Sequence, residues 1–198
     1  MKLGIVGGTF DPVHVGHIAM AEAGADCAAL DRVLLIPSNV PPHRSPALAS
    51  AADRLEMTRL AAAGHPRLEV SDIELRRPGP SYTVDTLRQL KTERPQDELY
   101  LVLGWDAARD IGAWRSPAEL MHLAGLVIVT RPGYPRPSPA QLAEAGIDAA
   151  RAVICDAPTP DVDSTDVRRL IEEGGSLERV LDPAVELYIR DRGLYLAP

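Results

Sequence analysis

Residues 7–17 read Gly-Gly-Thr-Phe-Asp-Pro-Val-His-Val-Gly-His and follow directly on a short apolar run, Leu3 to Val6. An apolar run of this length predicts a buried strand, and two successive glycines end it while letting the backbone approach a ligand closely. The Ala-rich segment 15–30 that comes next has a helical pattern. A strand, a glycine turn and a helix N-terminus in this order suit a phosphate, because free N–H groups and the positive end of the helix dipole face the turn.

The side chains of this stretch favour the same chemistry. His14 and His17 are three residues apart, so they share one face of the first helical turn. Thr9 adds a hydroxyl donor, and Gly16 leaves room in which a flat base can pack. A pair of histidines alone is more often structural or accidental than catalytic. It is also compatible with the start of a metal site, although the sequence places no third ligand beside it. The spacings of the phosphate loop and of the dinucleotide-binding Gly-x-Gly-x-x-Gly motif are not met here.

The rest of the chain alternates between apolar strand patterns and helical patterns. Strands that read as continuous apolar runs are typical of a parallel sheet covered by helices on both faces, which is an α/β, Rossmann-like doubly wound fold. We expect a single domain over residues 1–198, with the C-terminal helical segment 164–198 packed on it, and a surface excursion at 132–146. Strands are predicted at 2–7, 32–36, 67–70, 99–103, 126–129 and 152–154, and helices at 15–30, 51–63, 81–90 with Ser81 as its cap, 164–173 and 183–193.

Ligands of such sheets bind outside the carboxyl ends of the strands. Functional residues are therefore expected in the segments that follow the predicted strands. These segments are 8–17, 37–46, 104–114, 131–134 and 157–168.

Composition excludes several classes of protein. The 198 residues carry 21 Lys and Arg against 28 Asp and Glu, a net charge of −7, which argues against binding to nucleic acid or to an anionic membrane. The longest apolar runs are strand-sized, far below the roughly 20 residues of a membrane span. The N-terminus lacks the pattern of a signal peptide, and Cys27 and Cys155 are far apart without metal-ligand spacing. We therefore expect a cytoplasmic protein with reduced cysteines, and favour neither a disulfide nor a zinc site.

The motif at 7–17 resembles the signature of the nucleotidyltransferases that carry His-x-Gly-His, and among these the chain is similar to the bacterial nicotinate-nucleotide adenylyltransferases. The similarity runs in order along nearly the full length. After residues 7–17 it continues through Pro-Ser-Asn-Val-Pro-Pro-His-Arg at 37–44, Pro-Ser-Tyr-Thr-x-Asp-Thr-Leu at 80–87, Gly-Trp-Asp at 104–106, Trp114, Arg-Pro-Gly-Tyr at 131–134, Ser-Thr-x-Val-Arg at 164–168 and Gly-Leu-Tyr at 193–195.

The resemblance implies an enzyme that transfers an adenylyl group from ATP to nicotinate mononucleotide, with Mg²⁺ carried by the ATP phosphates and no protein metal ligand assigned. It implies His14, His17 and Arg168 as catalytic residues. The ATP-binding residues would be these three with Gly8, Thr9, Phe10, Gly16, Ser164 and Thr165. Two alternatives remain open: a phosphopantetheine adenylyltransferase, which shares the two histidines and the late Ser-Thr-x-x-Arg, and a non-catalytic nucleotide sensor. The oligomeric state is also open.

The same resemblance implies the acceptor site. Arg44 would hold the mononucleotide phosphate, the N–H groups at Tyr82 and Thr83 the ring carboxylate, Trp114 the pyridinium ring and Asp106 a ribose hydroxyl. Arg131 is the remaining substrate-binding residue, and Asp85 and Thr86 would support the residues that contact the substrate. Each has a plainer alternative: Arg44 is a solvated arginine, Tyr82 a helix-start packing residue, Trp114 a core aromatic, Asp106 a helix cap and Arg131 part of a strand-ending turn.

One position departs from the family pattern. The late family motif Ile-Ser-Ser-Thr-x-Ile-Arg is Val-Asp-Ser-Thr-Asp-Val-Arg at 162–168, so Asp163 replaces a serine. An acid near the ATP phosphates repels them unless it turns away or faces the metal. Asp163 is therefore not assigned to phosphate binding.

Overall fold

A computed structural model describes residues 1–42, 46–130 and 135–196. These residues form a six-stranded sheet in the order β3-β2-β1-β4-β5-β6, with every neighbouring pair parallel. This is the α/β, Rossmann-like doubly wound arrangement that the alternation of strand and helix patterns predicts. The strands are β1 Lys2–Gly8, β2 Arg32–Pro37, β3 Leu68–Val70, β4 Glu98–Gly104, β5 Gly125–Thr130 and β6 Ala152–Asp156.

The helices lie between the strands and after β6. They are α1 Val15–Cys27, α2 Ala51–Ala62, α3 Thr83–Glu93, α4 Trp105–Ala108, α5 Pro117–Leu123, α6 Pro139–Glu144, α7 Ser164–Glu172 and α8 Pro183–Arg192, with 3₁₀ turns at Ile111–Ala113 and Ala149–Arg151. The sequence analysis missed α4, α5 and α6, the last of which lies inside the expected surface excursion. Helices of one or two turns are too short to show a 3.6-residue period.

The two faces of the sheet carry separate hydrophobic clusters, because alternate residues of each strand point to opposite sides. On one face Val6 and Leu35 pack with residues of α1, α2, α7 and α8. On the other, Ile5 and Leu34 pack with residues of α3, α4, α5 and α6. The helices therefore cover both faces, and the carboxyl ends of all six strands lie along one edge.

The cysteines differ from expectation. Cys27, at the end of α1, forms a disulfide with Cys155 of β6, across a sequence separation of 128 residues. Spacing along the chain did not indicate this pairing, since only the packing of α1 against β6 brings the two residues together.

A helix must be both long and apolar to span a membrane. Over the described ranges, no helix is both long and apolar enough to cross a lipid bilayer.

Candidate active site

The turn after β1 lies at the centre of the sheet edge. β1 is paired with β2 on one side and with β4 on the other, so the strand order changes direction at this point. In sheets of this kind, ligands bind at such a point. Phe10 has a positive φ of 51° and folds its ring back over Gly8. A Cβ at Gly8 would lie 2.7 Å from the Phe10 ring, so this turn requires glycine. Phe10 is 1% exposed and belongs to the core.

The two histidines lie together at the start of α1. His14 is the N-cap residue, and its backbone N–H donates to Nδ1 of His17 at 3.2 Å. Their rings are stacked, with centroids 3.7 Å apart and planes 27° from parallel. The edge of the Phe10 ring meets His17 with centroids 4.9 Å apart. His14 is buried and His17 half-buried, so both imidazoles are held on one side of the turn.

Gly16 lies against the His14 ring. A Cβ there would lie 3.1 Å from Nδ1 of His14 and 3.3 Å from the Pro160 carbonyl oxygen. Any larger side chain would press on the His14 ring. The absence of a side chain at Gly16 thus makes room for the His14 ring.

The start of α7 is tied to the turn after β1. Arg168 donates from Nη1 to the Asp11 carbonyl oxygen at 2.7 Å and from Nη2 to Oγ1 of Thr165 at 3.2 Å. The Ser164 hydroxyl donates to the Pro12 carbonyl oxygen at 3.0 Å. These bonds bring the late motif to the two histidines, although Ser164 and Pro12 are 152 residues apart in sequence.

Asp163 caps α7. Its Oδ1 accepts from the backbone N–H groups of Thr165 at 2.7 Å and Asp166 at 2.9 Å. These bonds, led by that from Asp166, lower the pKa of the Asp163 carboxyl, and the charges of His14 and Arg168 act in the same direction. The carboxylate thus accepts from two backbone N–H groups in the first turn of this helix.

Tyr82 and Trp114 belong to neighbouring segments. Tyr82, not Ser81, is the N-cap of α3, and the Arg115 guanidinium lies 4.5 Å above the centroid of the Tyr82 ring. Arg115 also approaches Asp85 at 3.5 Å. The half-buried Trp114 precedes Arg115, so its segment meets the start of α3 and the N–H groups near Thr83.

Asp106 follows β4 at the same sheet edge. It is exposed in the first turn of α4, next to Gly104, where a Cβ would collide with its carboxylate. Arg44 and Arg131 lie outside the described residues.

A buried arginine supports the turn after β1 and was not predicted. Arg54 of α2 is only 2% exposed and donates to the Thr9 carbonyl oxygen at 2.6 Å and the Asn39 carbonyl oxygen at 3.4 Å. Burial lowers the pKa of Arg54, and the negative charge of Asp11 opposes this effect. In sequence it resembles any surface arginine of a helix, so no local signal identifies it.

Glu74 supports the start of α3 and was also missed. The carboxylate accepts from the Thr86 hydroxyl at 2.6 Å, and Thr86 accepts from Arg77 at 3.0 Å. Burial raises the pKa of Glu74. The Ser81 hydroxyl, which the sequence assigned to capping, accepts instead from the Asn39 N–H at 2.8 Å and joins this segment to the loop after β2.

The sequence resembles a family model and several known proteins. The Cytidylyltransferase-like family model matches residues 5–170. A protein of Synechococcus sp. (strain JA-3-3Ab) is 45% identical over 198 residues, which are all of this chain and 96% of that protein. A protein of Thermus thermophilus is 45% identical over 195 residues, 98% of this chain and the whole of that protein. Both bear the name "Probable nicotinate-nucleotide adenylyltransferase".

This chain belongs to the nicotinate-nucleotide adenylyltransferase family. The family resemblance drawn from residues 7–17 and the later motifs is thereby confirmed. The fold agrees as well: a structure of the Plasmodium falciparum nicotinic acid mononucleotide adenylyltransferase complexed with NaAD superimposes with a TM-score of 0.82 at 18% identity, covering 98% of this chain and 97% of that one. At 18% identity, this similarity shows a shared fold and says nothing about individual site residues.

Proposed function

We propose that this adenylyltransferase transfers the adenylyl group of ATP to nicotinate mononucleotide, forming deamido-NAD and pyrophosphate in NAD biosynthesis. One observation carries the proposal. The stacked rings of His14 and His17 lie at the carboxyl end of the central strand, beside the Arg168 that is bound to the same turn. Three nitrogen-donor side chains around one glycine turn suit a polyphosphate.

On the ATP side, His14, His17 and Arg168 donate hydrogen bonds to the phosphates. Negative phosphates favour the charged form of an imidazole, which strengthens these bonds. The backbone at Gly8, Thr9 and Phe10 lines the approach, while the Phe10 ring braces His17 from the core. Gly16, Ser164 and Thr165 hold His14, the turn and Arg168 in their places.

On the acceptor side, the start of α3 recognises the ring carboxylate. The N–H groups near Tyr82 and Thr83 suit a negative group, and a carboxamide would lose the charge-assisted part of those bonds, about 1–3 kcal/mol. Trp114 stacks on the pyridinium ring, whose quaternary nitrogen adds about 0.5–2 kcal/mol. The remaining assigned contacts are Asp106 to a ribose hydroxyl, and Arg44 and Arg131 to the anionic parts of the mononucleotide.

The chemical step needs no general base. A phosphate oxygen of nicotinate mononucleotide, ionised near neutral pH, attacks the α-phosphorus of ATP. The bond from that phosphorus to the oxygen bridging to the β-phosphate breaks, and its electron pair leaves with pyrophosphate. The residues of the site therefore align the two phosphates and neutralise the charge that builds on the leaving group.

The residues present suit a metal that enters on its nucleotide. Within residues 1–42, 46–130 and 135–196, no three His, Cys, Asp or Glu side chains are grouped to hold an ion. Asp163, the acid whose charge is felt by His14 and Arg168, is engaged in capping α7. Mg²⁺ that arrives with the nucleotide would need few protein ligands, and it would supply charge neutralisation to the triphosphate.

A turnover assay with several acceptors tests the function. Purified protein receives ATP and Mg²⁺ with nicotinate mononucleotide, nicotinamide mononucleotide or phosphopantetheine, and pyrophosphate release and product mass are measured. We expect the nicotinate acceptor to give the highest kcat/KM. Turnover only with phosphopantetheine contradicts the proposal, as does ATP binding without pyrophosphate release under any of these conditions, which is the behaviour of a sensor.

A further inference from the structure

The end of the described chain returns to the turn that carries the histidines. The Tyr195 hydroxyl donates to Oδ1 of Asp11 at 2.8 Å, across 184 residues of sequence. Tyr195 has a φ of 62°, in the left-handed region that side chains other than glycine seldom adopt. Such a conformation persists only where the surroundings hold the residue in place. Burial and the charge of Asp11 raise the pKa of Tyr195, so its hydroxyl stays protonated and able to donate across the neutral range.

Asp11 joins several segments at this point. The side chain is 5% exposed, and besides Tyr195 it accepts from the backbone N–H groups of Leu48 at 2.7 Å and Ala49 at 3.0 Å. Its carbonyl oxygen accepts from Arg168. Asp11 therefore links the turn after β1 to the segment before α2, to α7 and to the C-terminal segment.

This link matters because residues 9–14 lie outside regular secondary structure. Apart from the bonds that the His14 carbonyl oxygen accepts from the start of α1, side-chain and long-range bonds hold this turn in one shape. A site that stabilises a transition state needs its donors held within about 0.5 Å. The bonds at Asp11 act three residues before His14 and directly on the acceptor of Arg168.

We propose that Tyr195 is a positioning residue for the adenylyl transfer: its bond to Asp11 fixes the turn so that His14, His17 and Arg168 face the same polyphosphate. The proposal rests on the proposed function, since it assigns to Tyr195 an effect on that reaction. Tyr195 itself touches no reacting atom.

Tyr188 provides a matched control on the same C-terminal segment. Its hydroxyl donates to Oδ1 of Asp53 at 2.9 Å, so it too is a tyrosine bound to a carboxylate. That bond ends on α2 and does not reach the turn after β1. Removing the Tyr188 hydroxyl therefore measures how far kcat and Tm change when the C-terminal segment loses a bond that does not reach this turn.

The experiment compares Tyr195→Phe with Tyr188→Phe, each of which removes one hydroxyl. Kinetics are measured well below the unfolding temperature, with thermal unfolding recorded for both. For Tyr195→Phe we expect kcat to fall roughly tenfold, as for the loss of one bond to a charged group, while KM for nicotinate mononucleotide changes little. For Tyr188→Phe we expect kcat within about twofold of wild type at a similar loss of Tm. Wild-type kcat in Tyr195→Phe, or equal loss of kcat in both variants, overturns the proposal.

Histidine NMR separates failure of this proposal from failure of the proposed function. The imidazole signals of His14 and His17 are expected to shift in Tyr195→Phe and to stay in place in Tyr188→Phe. If the wild-type protein makes no product, the proposed function fails, and unchanged histidine signals in Tyr195→Phe then overturn the positioning of the turn.

A second variant approaches the same bond from the other side. Asp11→Asn keeps the shape of the side chain and removes its charge. If the bond to Tyr195 is the cause, the double variant Tyr195→Phe/Asp11→Asn loses less kcat than the product of the two single losses predicts. Losses that multiply independently contradict a shared cause and overturn the proposal.

Discussion

His17 is held between two rings, with Phe10 at its edge and His14 stacked on its face. A side chain fixed from both sides has little freedom to lose when it binds a phosphate. The half-buried position leaves part of the imidazole accessible. At this scale, the site depends on single donors that are already in place before the nucleotide binds.

Replacing His17 with alanine removes one of these donors. We expect kcat to fall by roughly 10²–10³-fold, the loss found when one donor to a developing negative charge is removed. The measurement is steady-state pyrophosphate release at saturating substrates. His122→Ala serves as the control, because His122 is exposed on α5, away from the turn after β1. Near-wild-type turnover in His17→Ala would remove His17 from the mechanism.

Replacing Trp114 with alanine tests the acceptor side. The loss of ring stacking is expected to raise KM for nicotinate mononucleotide several-fold more than KM for ATP, because only the first substrate carries a pyridinium ring. Initial rates with each substrate varied in turn give the two constants. Equal changes in both KM values count against stacking and favour a purely structural role in the cluster that Trp114 borders.

At the scale of the element, a single residue at the start of α7 changes which of the helix's backbone N–H groups are free. Asp163 fills the N–H groups of Thr165 and Asp166, so the helix is capped from within. The side chains that follow, Ser164 and Arg168, are then directed to the turn after β1. In this chain α7 contributes side chains to the site, and Asp163 already caps the N–H groups at its start.

Replacing Asp163 with alanine removes the cap. We expect the free energy of unfolding to fall by about 1 kcal/mol, as for other N-cap losses. Urea unfolding at several pH values gives the measurement. Because its folded-state pKa is lowered, the carboxylate stabilises the protein above the unfolded value near 3.8 and loses this effect as the pH falls through the folded pKa. The difference in unfolding free energy between wild type and Asp163→Ala should therefore become smaller in acid. A difference that stays constant with pH contradicts a role for the charge.

Asp163→Ser is the companion variant, since it restores the family residue and keeps a capping oxygen. It should retain most of the stability while lowering KM for ATP, because a negative charge is removed from the neighbourhood of His14 and Arg168. An unchanged KM for ATP would show that the Asp163 charge does not reach the nucleotide.

At the scale of the whole molecule, the disulfide closes a long covalent loop across the fold. Cys27 is exposed at the end of α1 and Cys155 is buried in β6. The bond joins one end of the helix that begins at the histidines to an edge strand of the sheet. A cross-link over 128 residues restricts the unfolded chain strongly.

Reducing this disulfide is expected to destabilise the protein by about 2–4 kcal/mol, chiefly by releasing the unfolded chain. Thermal unfolding with and without dithiothreitol measures the effect. Cys27→Ser should behave like the reduced wild type and show no further response to dithiothreitol. Two free thiols in the native protein, found by alkylation and mass spectrometry without reductant, would contradict the bond.

Local patterns alone predicted the doubly wound sheet, which the structure shows, and a site at the carboxyl ends of its strands, which stays a prediction. Apolar runs separated by helical patterns predict parallel strands, because these patterns depend on neighbours in sequence. The spacing of His14 and His17 predicted one shared helix face, but in the structure His14 is the N-cap residue before α1 and its ring stacks on that of His17. Three further features required the three-dimensional contacts. They are the short helices α4 to α6, the capping of α7 by Asp163, and the bond of the Ser81 hydroxyl to the Asn39 N–H in place of a helix cap.

Tertiary structure alone decided which distant residues support that site. The burial of Arg54 beneath Thr9, the bond of Tyr195 to Asp11 and the pairing of Cys27 with Cys155 join residues 45, 184 and 128 positions apart. Local propensity contains no information about such pairs. They form because packing the helices onto the sheet buries a polar group or a thiol beside one particular partner, and a buried polar group must find a hydrogen bond there.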